Sequence, residues 1–312
     1  MKRKTIELFE GEKTLDKCLD EFILNCEVKN LRPATIKFYK DYINIFFKFM
    51  PYKTLASEIN KETIDNYILY LKNKTNENDR TINSNLNAIR SFFKFCQKLG
   101  YIEKFNIPKI KADKSIIIPY TDEELSILLK KPNLQKTTFA NYRCWCIINF
   151  LIGTGCRCSN VIELKVKDVD IDNKYITFEH TKNRKPQIIP MSNSLSRVLK
   201  EYLKFRKPKN PDDYFFCTSY GKRISRRQLE SDLTKYNRKR GVMKTGIHRF
   251  RHTFAKKWIM ANGDIYRLQQ ILNHSSQDMT RKYVELFASD LQKDFNTFNP
   301  LEQLQKNHIS MK

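Results

Sequence analysis

The chain has 312 residues, 40% of them hydrophobic, with 58 Lys+Arg against 34 Asp+Glu for a formal net charge of +24. That length suggests about two domains and is ample for a real core. No apolar run approaches the roughly 18 residues of a membrane span, and the N-terminal MKRKTIELFEGEK has no signal-peptide apolar core, so a cytoplasmic protein with no membrane association is expected. The excess of cations points to a polyanionic partner, most often nucleic acid.

Taken in chain order, residues 14–29 place Leu15, Cys18, Leu19, Phe22, Ile23 and Cys26 on one helical stripe. Pro33 suits the first position of a second helix, which carries Ile36, Tyr39, Ile43, Phe46, Phe47 and Met50 inward. A third helix is predicted over 61–73 and a fourth over 80–99, closed by Gly100. Four amphipathic helices in this span predict a small helical bundle. Its polar positions include Arg80, Asn83, Asn87, Arg90 and Lys94, which form either a solvated face or a DNA-contacting one. Residues 101–119, polar and basic with Pro108 and Pro119, read as a linker. TDEEL at 121–125 is a capping-box signature, Thr121 with Glu124, that opens a second domain. A strongly apolar helix follows at 141–152 and ends in GTG; KYITFEHTKNRKPQIIPM then reads as two strands joined by a basic turn. Further helices are predicted over 194–206, 225–240, 248–262, 264–272 and 277–286. The fold class is therefore mainly α with a small β-sheet (α+β).

The eight cysteines include CWC (Cys144, Cys146) and CRC (Cys156, Cys158), pairs spaced more tightly than zinc ligands usually are. Reduced thiols without a metal are the expectation.

The stretch GIHRFRHTF, residues 246–254, poses a sharper problem. It crowds His248, Arg249, Arg251 and His252 onto a helix start, where the macrodipole already carries about half a positive charge. Arg251, His248 and His252 also fall on or beside the face that Ala255, Trp258 and Ile259 would bury. A partly buried guanidinium needs an anion or a full set of acceptors. Two readings stay open: a structural arginine paired with a core carboxylate, or a receptor for an exogenous phosphate. His248 and His252 share the four-residue spacing of a zinc helix, but Arg249 stands where a hydrolytic site needs Glu, and Arg251 would repel a metal. Arg157, after the glycine-flanked turn of LIGTGCRCSNVIEL, gains interest only in combination with these residues.

TGCRCSNVIELKVKDVD, HRFRHTFA and ILNHSSQDMTRKYVEL, in that order, resemble the tyrosine recombinase (phage integrase) family. The resemblance covers nearly the whole chain. It implies a helical core-binding (SAM-like) DNA-binding domain at 14–100 and a catalytic domain at 120–290, preceded by a tail at 1–13 and joined by the linker at 101–119. The C-terminal segment 291–312 keeps Leu291, Phe295, Phe298 and Leu301 at roughly helical spacing, which suggests a tail that docks onto a neighbouring protomer for exchange. Carried over by position, Arg157 and Arg251 would clamp the phosphate, His248 and His274 would flank it, and Lys182 would be the hairpin lysine, with Lys185 the alternative. Tyr283, nine residues after His274, matches the nucleophile. The implied activity is site-specific recombination of double-stranded DNA by a homo-tetramer on two sites, in integration, excision or resolution, through a covalent 3′-phosphotyrosine. The covalent link conserves bond energy, so neither ATP nor metal is required. The short N-terminal tail favours an Xer-like or small transposon type over one with a separate arm-binding domain.

This chain departs from the family pattern at two places. Asn160 replaces the acidic residue three positions after the first arginine, and Asn273 replaces the glycine before the second histidine. The first departure motivates one alternative, a catalytically weakened DNA-binding protein of the same fold. A type IB topoisomerase-like enzyme, which relaxes DNA without paired sites, is the other. The sequence names neither the DNA site nor any accessory protein.

Overall fold

The computed structural model describes residues 13–74, 77–113, 117–179, 186–274 and Leu301. The chain divides into two compact units, Met1–Ser115 and Ile116–Lys312.

The first unit contains α1 (Leu15–Val28), α2 (Pro33–Phe49), α3 (Lys61–Lys74) and α4 (Asp79–Lys98). Pro33 opens α2, where its missing N–H costs nothing. Asn78 caps α4 by accepting the Thr81 N–H, and Gly100 follows with φ 77°. Every apolar stripe meets at one core, in which Phe46 lies edge-on to Tyr67 and Phe93 at centroid distances of 4.8 and 5.3 Å. Such rings each contribute roughly 1.5–3 kcal/mol by burial. The Tyr67 hydroxyl, which cannot reach water, donates to Asn85 across 3.0 Å. The chain after α4, read as linker from residue 101, buries Ile102 and Ile107 in this core. Local polarity hides that attachment, because Asn83 and Arg90 of α4 supply its hydrogen bonds.

The second unit contains α5 (Asp122–Leu129), α6 (Phe139–Thr154), α7 (Cys158–Glu163), β1 (Val169–Asp170), β2 (Tyr175–Phe178), β3 (Gln187–Pro190), α8 (Asn193–Arg206), α9 (Arg226–Lys239), α10 (Ile247–Met260) and α11 (Ile265–Leu272). The Thr121–Glu124 capping box forms at the start of α5. Helix α6 is apolar on nearly all sides because α5, α8, α9 and α10 surround it. Its one deeply buried charge, Arg143, donates to Asp232 and to the Cys217 carbonyl, each at 2.6 Å. The sheet runs β1-β2-β3, all antiparallel, with Ile176 opposite Ile189 and Phe178 opposite Gln187. Strand β1 and helix α7 are too short to leave a periodic signal, and neither is predicted from sequence. All eight cysteines are free and buried, and burial raises the Cys144 and Cys156 thiols to about 12. Among the described residues, no helix is long and apolar enough to cross a membrane.

Candidate active site

The site grows out of two helix ends. Helix α6 stops at Gly155, whose φ of 60° lies in the left-handed region. A Cβ there would collide with the Phe254 ring and come within 2.9 Å of Leu272, so glycine is required twice over. Helix α11 stops at Asn273, also left-handed at φ 49° and ψ 54°. Asparagine tolerates that conformation better than most residues, and the turn forms without glycine. The last carbonyls of any helix lack intrahelical donors and carry its negative dipole end.

Those two negative ends receive the arginines. Arg251, only 6% exposed, donates from one terminal nitrogen to the Gly155 carbonyl at 2.9 Å and from the other to the Leu272 carbonyl at 2.6 Å. Arg157, the residue capping the start of α7, donates to the Asn273 carbonyl at 2.8 Å. Positions 157, 251 and 273 are thus brought together although about a hundred residues separate the first from the other two. His274, 8% exposed, follows directly, its backbone N–H donating to Gln269 at 3.1 Å. These carbonyls orient the guanidinium groups but carry no formal charge, so they leave the positive field in place for an anion. The question raised by GIHRFRHTF resolves here: Arg251 is buried at the start of α10 because the ends of α6 and α11 lie beside it. Arg249 turns elsewhere, to the carbonyls of Thr245 and Ile118.

The histidines feel the same field. His274 falls from the ordinary 6.5 to about 4, first through burial and then through Arg251 and Arg157. His248 is lowered by desolvation and by Arg226, Arg251 and Arg157, and His252 by desolvation, His248 and Arg251. All three are neutral at pH 7, and a neutral imidazole can both accept and donate a proton. Asn160 is buried in α7, and the Ser159 hydroxyl lies 3.5 Å from its side-chain oxygen. Lys182, Lys185, Tyr283, the predicted helix 277–286 and the segment 291–312, apart from Leu301, lie outside the described residues.

The phage integrase family pattern matches residues 119–289, and the N-terminal SAM-like domain pattern of phage integrases matches residues 18–101. The chain belongs to the phage integrase family. It is a tyrosine-type site-specific recombinase. Its relatives include tyrosine recombinase XerA of Pyrococcus furiosus, 29% identical over 297 residues, covering 94% of this chain and 98% of XerA. The Tn1549 transposon integrase, solved with circular intermediate DNA, has a like fold at TM-score 0.71 and 20% identity, over 86% of this chain and 94% of that one. So does lambda integrase, solved as a tetramer bound to a Holliday junction, at TM-score 0.66 and 16% identity, over 89% and 83%.

In the recombinase's first unit, the five polar candidates of α4 divide. Arg80 and Lys94 are exposed. Asn83 exchanges hydrogen bonds with the Ile110 backbone at 2.9 and 3.1 Å, and Arg90 donates to Asn87 and to the carbonyls of Ile107 and Pro108. Those two side chains fasten the segment after α4 to the bundle. Sequence reasoning missed two contributors to the second unit's site. One is Arg226, whose charge acts on His248. The other is Gln187, whose side chain reaches α11. Both fall inside predicted elements, Arg226 in the helix over 225–240 and Gln187 in the hairpin, but nothing in those patterns points to the site, so only tertiary contact reveals their part in it.

Proposed function

We propose that this recombinase binds the scissile phosphate of double-stranded DNA against Arg157, Arg251 and His274, and cuts the strand with Tyr283. The observation that carries the reading is the convergence of both arginines and His274 on the end of α11. In the first step the Tyr283 oxygen attacks phosphorus, a bond to phosphorus forms, and the bond to the 5′-oxygen breaks. The product is a 3′-phosphotyrosine and a 5′-hydroxyl. Arg157 and Arg251 neutralise charge that builds on the non-bridging oxygens, where fixed cations act most strongly. Neutral His274 donates a hydrogen bond to one of those oxygens. His248, also neutral, accepts the tyrosine proton, and Lys182 or Lys185 protonates the departing 5′-oxygen. A 5′-hydroxyl from a second strand then reverses each transfer and joins the strands.

The same reading takes four copies on two DNA sites, which the fold shared with the lambda integrase tetramer on a Holliday junction supports; it also passes the segment 291–312 between neighbours. In the first unit, exposed Arg80 and Lys94 contact DNA phosphates. The test is covalent trapping. A DNA segment that the protein selects from its source genome is nicked beside the cleavage position and incubated with chelator present. Wild type yields a protein–DNA adduct on a denaturing gel and Tyr283→Phe yields none. DNA binding with no wild-type adduct would overturn the reading in favour of a DNA-binding protein that does not cut.

A further inference from the structure

Four successive carbonyls end helix α11, and three side chains from separate parts of the second unit cap them. Arg157 takes Asn273 and Arg251 takes Leu272. The remaining two, Gln270 and Ile271, both accept from the side-chain amide nitrogen of Gln187, each at 2.8 Å. One NH2 group has two hydrogens, so this contact uses each of them once and fixes which way the amide faces. Gln187 is the first residue of β3, paired across the sheet with Phe178 of β2. It follows Lys182 by five positions and Lys185 by two. The strand that leads out of the basic turn is therefore tied, at its first residue, to the helix end that holds both arginines and His274.

We propose that Gln187 is a positioning residue for the leaving-group proton, setting the hairpin lysine against the phosphate clamp by anchoring β3 to α11; this rests on the preceding reading of that lysine as the general acid. Two frames of reference have to agree. The clamp is referred to the end of α11, whereas Lys182 and Lys185 fall in the stretch of sequence between β2 and β3. Among the described residues, the Gln187 amide joins the two frames by direct hydrogen bonds to the carbonyls adjoining those the arginines use. Hydrogen bonds of this kind contribute modestly to net stability, because the unfolded chain makes equivalent bonds to water. A misplacement of about 1 Å in a catalytic group can cost roughly 100-fold in rate. Loss of the amide should consequently act on chemistry far more than on folding.

The experiment compares single-turnover cleavage of the nicked DNA with that of the same DNA carrying sulfur at the bridging 5′ position. A thiolate departs without being protonated, so the sulfur substrate bypasses the general acid. Gln187→Met keeps the side-chain length and removes both donors. It should slow cleavage of the oxygen substrate by roughly 10- to 100-fold, cleave the sulfur substrate at close to the wild-type rate, leave DNA affinity unchanged and lower the melting temperature by only a few degrees. Gln187→Arg, which offers donors but holds its protons, should recover most of the loss. Wild-type cleavage of the oxygen substrate by Gln187→Met, or equal slowing on both substrates, would overturn the proposal. Lys182→Met and Lys185→Met are measured beside it. If sulfur rescues a lysine variant while Gln187→Met is normal, only the role of Gln187 falls. If sulfur rescues neither lysine variant, the general-acid reading falls, and the proposal with it. Should Gln187→Met fail to fold, Gln187→Asn, whose amide is one methylene too short, carries the same comparison.

Discussion

Gly155 joins the fold to the chemistry, and its replacement by alanine separates the two. The residue sits at φ 60°, where an L-residue other than glycine pays about 1–2 kcal/mol. The added Cβ also lands on Phe254 and within 2.9 Å of Leu272, both side chains in contact with the α10–α11 cluster. Overpacking of that kind costs about 1–3 kcal/mol. Gly155→Ala should therefore destabilise the second unit by about 2–5 kcal/mol, a large part of a typical domain's stability. Gly155→Asn sorts the two causes: asparagine relieves most of the backbone cost but keeps the collision, so a loss of about 1–3 kcal/mol should remain. Both tryptophans, Trp145 and Trp258, lie in the second unit, so fluorescence during urea unfolding reports on it alone. Cleavage should fall further than the folded fraction does, because the Gly155 carbonyl holds Arg251 and Arg157 is two residues away. Gly155→Ala within about 0.5 kcal/mol of wild type would refute the reasoning. Wild-type stability in Gly155→Asn would refute its steric half.

Two further outcomes follow from the site. The unfolded chain protonates His274 near pH 6.5, whereas the folded chain resists until about 4. Between those values the unfolded state binds more protons, so this group makes stability fall as pH drops from 6.5 towards 4 and adds no further loss below that. The ceiling is about 3 kcal/mol; urea unfolding at pH 7 and pH 5 should show wild type losing more than His274→Gln, and equal losses would contradict the assignment. Deleting residues 291–312 should abolish tetramers on DNA, read by light scattering or native gels, while a single protomer still binds its half-site; unchanged tetramers would remove the proposed exchange role.

Much of the architecture is readable from the chain because it is written in short-range chemistry. Pro33, the Thr121–Glu124 capping box and the apolar run of α6 each act within a turn or two of helix, and the elements they predict are present. The segment after α4 reads as linker from residue 101 because its polar and proline-rich character is local, while the burial of Ile102 and Ile107 depends on α4 lying alongside. Strand β1 has two residues and survives only by pairing with β2.

The candidate site divides along the same line. By itself the sequence determined which groups are present: two arginines and two histidines in order, with Tyr283 after them, a succession that marks the family without any knowledge of how the chain folds. It also posed the charge problem at the start of α10. What it could not supply was the answer, since Gly155, Leu272 and Asn273 contribute backbone carbonyls, which every residue has and no motif records. Only the tertiary structure brings the negative ends of α6 and α11 to Arg251 and Arg157, and only there does Gln187 acquire a partner. Side-chain identity is fixed by the chain; the direction of a helix end is fixed by what packs around it.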